Sequence, residues 1–251
     1  MVIPAAAGVI TFIFTTLLTI AGVGAAFILI PVFIALGIDL HVAMATALLI
    51  NSIAMIFASY RFVQKKLILW RVAVPILIVA TALSPLGAYV SKGLNREVLL
   101  WLFTGFLLFA AGMMLFYEPG QKNEESSKTR QMTYGVAVGG FAGFMGGLLG
   151  VGGGNFIVPV LVWLGFDSKK ASATTSFIVI FSSFSGFLGH ASLGNISFPL
   201  LGFTAAGSAL GAVAGAWLMT DKLNRRQVKL TIGIVLLIIA AKMIWDLAVK
   251  F

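Results

Sequence analysis

Gly150, Gly152, Gly153 and Gly154, followed by Asn155 and Pro159, interrupt the run "GLLGVGGGNFIVPVL" at residues 147–161, in one of the most apolar parts of the chain. Glycine permits positive φ and close backbone approach, so such a cluster melts a helix. A helix that restarts after it leaves its first amide N–H groups without intrahelical partners. Those N–H groups and the positive end of the helix dipole together bind an anion without any basic side chain. Pro159 adds to the irregularity, because it cannot donate to the carbonyl of Asn155 four residues back. A weaker copy of the pattern stands earlier in the chain at Gly22, Gly24 and Pro31.

The segment after each cluster is polar for so apolar a chain. Thr174, Thr175 and Ser176 follow the second, with Ser182, Ser183 and Ser185 beyond; Thr46, Asn51 and Ser52 follow the first. Hydroxyls and amides can replace the hydration shell of an anion, or they can hold neighbouring helices together, and both roles stay open for Thr46, Asn51 and Thr174–Ser176. Two glycine ladders, Gly135-Gly139-Gly143-Gly147 and Gly207-Gly211-Gly215, have the four-residue spacing of close helix packing. Asp39 and Asp167 each follow an "LG[IF]" end and precede a new helix, as N-caps do. His41 and His190 fall at the outer ends of apolar segments. All eight acidic residues lie in loops or near span ends, leaving no mid-membrane carboxylate as a proton or sodium relay.

These residues sit in a chain of 251 residues that is 60% hydrophobic and 10% charged, outside the range of soluble domains. The first charge is Asp39, and residues 131–166 contain none. Stretches that long mark an integral membrane protein. The formal charge of +9 is carried by Lys and Arg in short loops, as in membrane proteins, so nucleic acid is not an expected partner. With no cysteine there is no disulfide and no thiolate metal site, and no cofactor is expected.

Shifting the chain by 128 positions aligns Gly22-Val23-Gly24 with Gly150-Val151-Gly152, Pro31-Val32 with Pro159-Val160, and Leu36-Gly37-Ile38-Asp39 with Leu164-Gly165-Phe166-Asp167. The chain is therefore read as one membrane domain made of two repeats, 1–117 and 132–251, joined by a polar linker at 118–131. Each repeat has one long apolar stretch and three ordinary spans, roughly 42–60, 72–91 and 98–117, then 171–189, 197–219 and 229–248. A stretch of about 36 residues would be roughly 54 Å long as one helix against a hydrocarbon core of roughly 30 Å, so it must bend.

Charge decides how. If each long stretch crosses once, the basic residues divide evenly between the two sides. If each is a hairpin, one side collects Arg61, Lys65, Lys66, Arg71, Lys122, Lys128, Arg130, Lys169, Lys170, Lys222, Arg225, Arg226 and Lys229, leaving four of the 17 for the other. The positive-inside rule selects the hairpin. The expected fold is an all-α integral membrane protein of two inverted-topology repeats, each a broken-helix hairpin plus three transmembrane helices, in the inner cell membrane with both termini outside. Transporters built this way bind their substrates at broken helices near the midplane.

The segment "GGLLGVGGGNFIVPVLVWLGFDSKKASATTSFIVI" and its weaker first copy resemble the sulfite exporter TauE/SafE family of membrane transporters. The resemblance implies export or uptake of small anions bearing sulfur or carboxylate groups, such as sulfite or sulfonates. Gly150, Gly152, Gly153, Gly154 and Pro159 match the family's second-half signature. The first half departs from it, with Ala25, Ala26 and Phe27 where the second has Gly153, Gly154 and Asn155. The expected site is accordingly asymmetric and dominated by the second hairpin, with a small anion and the lipid bilayer as partners; a homo-oligomer is compatible with the sequence. A side chain at Gly153 is expected to block the anion while sparing the fold. An anion channel of the same architecture is the near alternative and an intramembrane enzyme the distant one, since no catalytic constellation is present.

Overall fold

The computed structural model describes residues 2–26, 29, 30, 33, 38, 40–93, 96–116, 128–149, 151–190 and 198–248. Gly150, Pro31, Asp39 and most of the linker, together with the side chain of His41, lie outside the described residues. Nine α-helices and no strand occur among the described residues: α1 Val2–Ile20, α2 Leu40–Gln64, α3 Trp70–Val90, α4 Arg96–Phe116, α5 Lys128–Leu149, α6 Gly154–Trp163, α7 Ser168–His190, α8 Phe198–Trp217 and α9 Arg225–Ala248. A short π-helical turn, Leu218–Lys222, extends α8. Helix α5 begins at Lys128, inside the segment read as linker.

Five of the helical segments are long and apolar enough to cross a membrane: Val42–Gln64, Trp70–Val90, Ser168–His190, Leu201–Lys222 and Arg225–Trp245. The chain also turns its polarity inward. Ile78, Leu210 and Ile238 are 60%, 63% and 62% exposed, whereas Thr46, Asn51, Asn155 and Thr174–Ser176 are all 0% exposed. Large apolar side chains facing outward around a core lined with hydroxyls suit a lipid surround and would be unfavourable in water.

The ends of the helices follow local chemistry. Asp167 caps α7, its Oδ1 accepting from the amides of Lys169 and Lys170 at 3.0 and 3.1 Å. Asn224 and Gln227 exchange side chain to amide bonds at the start of α9, a reciprocal capping box. Helix α6 closes with Gly165 at φ 92°, where Phe166 N–H reaches the Leu161 carbonyl and Gly165 N–H that of Val162. In the first repeat, Ile38 N–H reaches the Phe33 carbonyl at 3.0 Å, which is the same bond between the two equivalent positions.

The repeat offset runs through the whole fold. Helices α2 and α7 begin at equivalent positions, Leu40 and Ser168, and so do α3 and α8, at Trp70 and Phe198. Helices α4 and α9, starting at Arg96 and Arg225, are out of step by a single position. Helix α5 lies against α3, and the related pair α1 and α8 lie together in the same way. Across α2 and α7, Leu48 faces Gly186, Asn51 bonds Ser183 and Ser52 bonds Ile180, so these repeat mates run antiparallel. Ser52 and Ile180 are themselves equivalent positions under the 128-residue offset. At one end of the bundle, Arg61 and Lys65 pair with Asp221, Lys169 Nζ donates to the Thr220 carbonyl, and Arg225 pairs with Asp167.

Both glycine ladders are packing faces. A Cβ at Gly139 would stand 2.8 Å from the Ile76 carbonyl oxygen, and one at Gly143 would strike the backbone of Ala80; those at Gly207, Gly211 and Gly215 would strike the carbonyls of Gly8, Phe12 and Thr16. Gly202, by contrast, faces open space. Gly202→Ala should therefore raise stability by about 0.5–1 kcal/mol through helix propensity. Gly143→Ala should lower the yield of folded protein sharply. Thermal unfolding and size-exclusion profiles of the two purified variants check both outcomes.

Candidate functional site

The two hairpin tips share one backbone pattern. Val23 N–H bonds the Leu18 carbonyl at 3.1 Å, and at the equivalent positions of the second repeat Val151 N–H bonds that of Gly146 at 2.9 Å. Gly24 and Gly152, also equivalent, adopt φ of 73° and 76°, which L side chains rarely reach. Helix restarts follow at Ala26 and Gly154. The tips meet inside the protein: a Cβ at Gly154 would stand 2.9 Å from Val23 Cα and 3.1 Å from the Gly22 carbonyl oxygen.

Helices α2 and α7 run past both tips and supply the polar groups around them. Ser172 donates to the Ile20 carbonyl at 2.8 Å, and a Cβ at Gly22 would meet Ser172 itself. Ser182 donates to the Gly152 carbonyl at 3.0 Å. From α2, Asn51 Oδ1 accepts from Ala25 N–H at 2.8 Å while its Nδ2 donates to Ser183 Oγ at 3.0 Å. One buried carboxamide thus ties the first tip to the helix beside the second.

The second tip is less complete. Among the described residues, no acceptor meets the amides of Gly153, Gly154 or Asn155, and both carboxamide atoms of Asn155 are buried without a partner. Pro159 leaves the Asn155 carbonyl without its intrahelical donor. The next residue, Phe156, packs against Phe106 and Phe141 with ring centroids 4.7 and 5.4 Å away. An unpaired buried carboxamide costs about 1–3 kcal/mol, so its retention here points to an occupant that satisfies it.

Other hydroxyls singled out in the sequence have different roles. Thr174 Oγ1 accepts from Leu69 N–H at 3.0 Å, capping the start of α3. Thr46 and Ser176 donate to the carbonyls of Val42 and Ser172 within their own helices. Thr175 Oγ1 is buried and unpartnered, as the Asn155 side chain is. His190 is buried, with Nε2 3.1 Å from the Gly147 carbonyl oxygen. Gly22, Gly24, Gly152, Gly153, Gly154 and Asn51 gather at the tips as the sequence suggested; Gly150 and Pro31 fall outside the described residues.

Val179 escaped sequence reasoning, and Ser183 was noted only as one of the polar residues of its span. Their signal was there: Ser172, Ser176, Val179, Ser183, Gly186 and His190 recur at three- and four-residue steps, one face of α7, and all are buried. One expectation needs correction. Gly153 has φ 75°, and a Cβ there would stand 2.8 Å from the Ala142 carbonyl oxygen rather than in an open ligand space. A side chain at Gly153 disturbs the turn itself, so it does not spare the fold.

A model of the family described as sulfite exporter TauE/SafE matches residues 7–243. The chain belongs to this family. It is similar to a probable membrane transporter protein, YunE, of Bacillus subtilis, with 26% identity over 82% of this chain and 81% of that one. A probable membrane transporter protein of Haemophilus influenzae is 27% identical over 90% and 89% of the two chains. Sulfite exporter TauE/SafE family protein 1 of Arabidopsis thaliana is 32% identical over 41% of this chain and 24% of its own length. No solved structure matches the chain. Like its TauE/SafE relatives, it is a multi-pass membrane transporter, not an enzyme.

Because the Asn155 side chain has no partner, Asn155→Leu should leave the unliganded fold as stable as the parent or up to about 1–3 kcal/mol more stable, since it removes an unsatisfied pair of polar atoms at similar volume. Gly153→Ala should destabilise the fold by about 1–2 kcal/mol through the positive φ. Denaturation of both variants in one detergent checks the contrast.

Proposed function

We propose that this chain is a secondary transporter or facilitator that moves a small oxyanion, a sulfite, sulfonate or related organosulfur or carboxylate anion, across the inner membrane. The anion binds at the start of α6, against the amides of Gly153, Gly154 and Asn155. The observation that carries this is the Asn155 carboxamide, fully buried and unpartnered in the first turn of a helix that restarts inside the protein. The helix dipole and free N–H groups favour negative charge there. No Lys or Arg is buried among the described residues, so nothing fixes a full countercharge. A singly charged ligand is therefore preferred to a doubly charged one, each desolvated charge costing several kcal/mol.

The proposed orientation has both termini outside and residues 61–71, 118–130 and 220–229 in the cytoplasm. Its support is the convergence of Arg61, Lys65, Lys169, Asp221 and Arg225 at one end of the bundle; a single crossing by each long stretch would separate Arg61 from Lys169 and Arg225. The antiparallel course of α2 and α7 supports inverted repeats.

Two measurements test this reading. Asn155→Asp places a like charge beside the anion. Calorimetry with methanesulfonate, whose charge is fixed, should show binding weakened by about two orders of magnitude at pH 7, from a loss of roughly 3 kcal/mol. Protonating the new carboxyl in acid removes the repulsion, so affinity should return as pH falls. Undiminished affinity at pH 7 removes this turn from the site. For the orientation, Ser127→Cys in a chain without native cysteine should resist membrane-impermeant maleimide in intact cells and label after permeabilisation. Labelling from outside overturns it.

A further inference from the structure

The two tips share the Val23 and Val151 amide bonds and a positive-φ glycine at 24 and 152; Gly153 adds a second positive φ where Ala25 has none, and the tips differ in what meets the amide just after the shared glycine. In the first hairpin this amide belongs to Ala25, and the Asn51 Oδ1 atom accepts its proton at 2.8 Å. In the second the equivalent amide is that of Gly153, and the residue that the repeat offset sets opposite Asn51 is Val179. Val179 stands at the tip, its Cγ2 3.1 Å from where a Cβ of Gly154 would be, and it offers no acceptor. No described residue accepts from Gly153 N–H. A Cβ at Gly24 would meet Asn51 Oδ1 and one at the equivalent Gly152 would meet Ser183 Oγ, so an oxygen stands by each tip, but only that of Asn51 accepts from the amide that follows.

We propose that Asn51 is a built-in substitute for the anion, filling the first hairpin permanently, so that each chain holds a single anion site, at the second hairpin, which Val179 leaves uncapped. This rests on the anion reading above and extends it to stoichiometry and to the residue that sets it. The substitute defines the ligand: a trigonal carboxamide oxygen taking one backbone N–H has its counterpart in a carboxylate or sulfonate oxygen. Asn51 is also a positioning residue for the open site. Its Nδ2 holds Ser183 Oγ at 3.0 Å, and a Cβ at Gly152 would collide with that same oxygen, so Ser183 stands against the second tip. Val179 is itself buried and brings no polar group to the tip. A bare N–H in such a place is tolerated only where a ligand or water meets it.

Val179→Asn gives the second hairpin the cap that the first already has. With methanesulfonate as the probe and protein in lipid nanodiscs, calorimetry of the parent should give one anion per chain. The variant should keep or raise its thermal midpoint, because the new oxygen satisfies Gly153 N–H, and bind methanesulfonate at least about tenfold more weakly, the effect of one lost charge-assisted hydrogen bond. If Val179→Asn does not fold, Val179→Thr, which has the same shape and adds one hydroxyl, should weaken binding about threefold by the same competition. Two anions per parent chain, or a folded variant that binds as the parent does, overturns the single-site inference while leaving the transporter reading in place. If neither methanesulfonate nor acetate binds the parent, the anion reading fails and this inference with it.

Discussion

A helix broken inside a membrane protein must find partners for the backbone groups it exposes, because no bulk water reaches them. The rest of this structure follows from that constraint. Two tips meet in the interior, so two sets of amides need acceptors at nearly the same place. Helices α2 and α7 lie beside the tips and carry the hydroxyls and carboxamide that can serve. Ser172 and Ser182 take up carbonyls at 20 and 152, and Asn51 takes up the amide at 25. Once those partners are assigned, little freedom remains in how the repeats dock.

Close docking needs smooth surfaces, and the second repeat supplies most of them. The pairs α5 with α3 and α1 with α8 are equivalent under the repeat offset, yet the ladder is on α5 in one and on α8 in the other. Both helices belong to the second repeat. The first repeat adds Gly8 and Gly87, whose Cβ positions would strike Phe203 and Phe144 backbone respectively. Without a hydrophobic drive between helices in lipid, such van der Waals contact is the main source of helix association. The two halves have thus diverged in surface as well as at the tips while keeping one backbone plan.

Much of this was legible in the sequence. The repeat offset, the bounds to within a few residues of the six helices read as ordinary spans, the cap at Asp167 and the packing role of both ladders follow from periodicity and from residue types with one dominant use. The tips themselves were legible because glycine clusters in an apolar run have few explanations. The division of labour among hydroxyls was not. Thr174, Ser176 and Thr46 look alike in sequence, and only the path of the neighbouring chain decides that one caps Leu69 while the others bond their own helices. Gly153 was misread for a related reason: glycine serves close approach to a ligand and close approach to protein equally well, and the direction of the missing Cβ, toward Ala142, is a tertiary fact.

The two ends of the bundle are closed by different forces, which follows from where the repeats diverge. At one end Arg61 and Lys65 of the first repeat meet Asp221 of the second through side chains that are 28–49% exposed. The positions equivalent to Arg61 and Asp221 are Gly189 and Gly93, so the opposite end has no such pair. There Gly189 instead lies close against α3, where a Cβ would stand 2.9 Å from both Pro85 Cα and Ala88 Cβ. Exposed ion pairs contribute about 0–1 kcal/mol each and weaken with salt. Glycine-mediated backbone contact yields only if whole helices separate. The charged end also has more cations than anions, with Arg61, Lys65, Lys169 and Arg225 set against Asp167 and Asp221. In the proposed transporter this net positive end would concentrate small anions before any of them meets the tips. Selection for negative charge in the proposed transporter would thus begin with side chains at the surface and be completed by backbone amides in the interior, where a lysine or arginine would be too costly to bury.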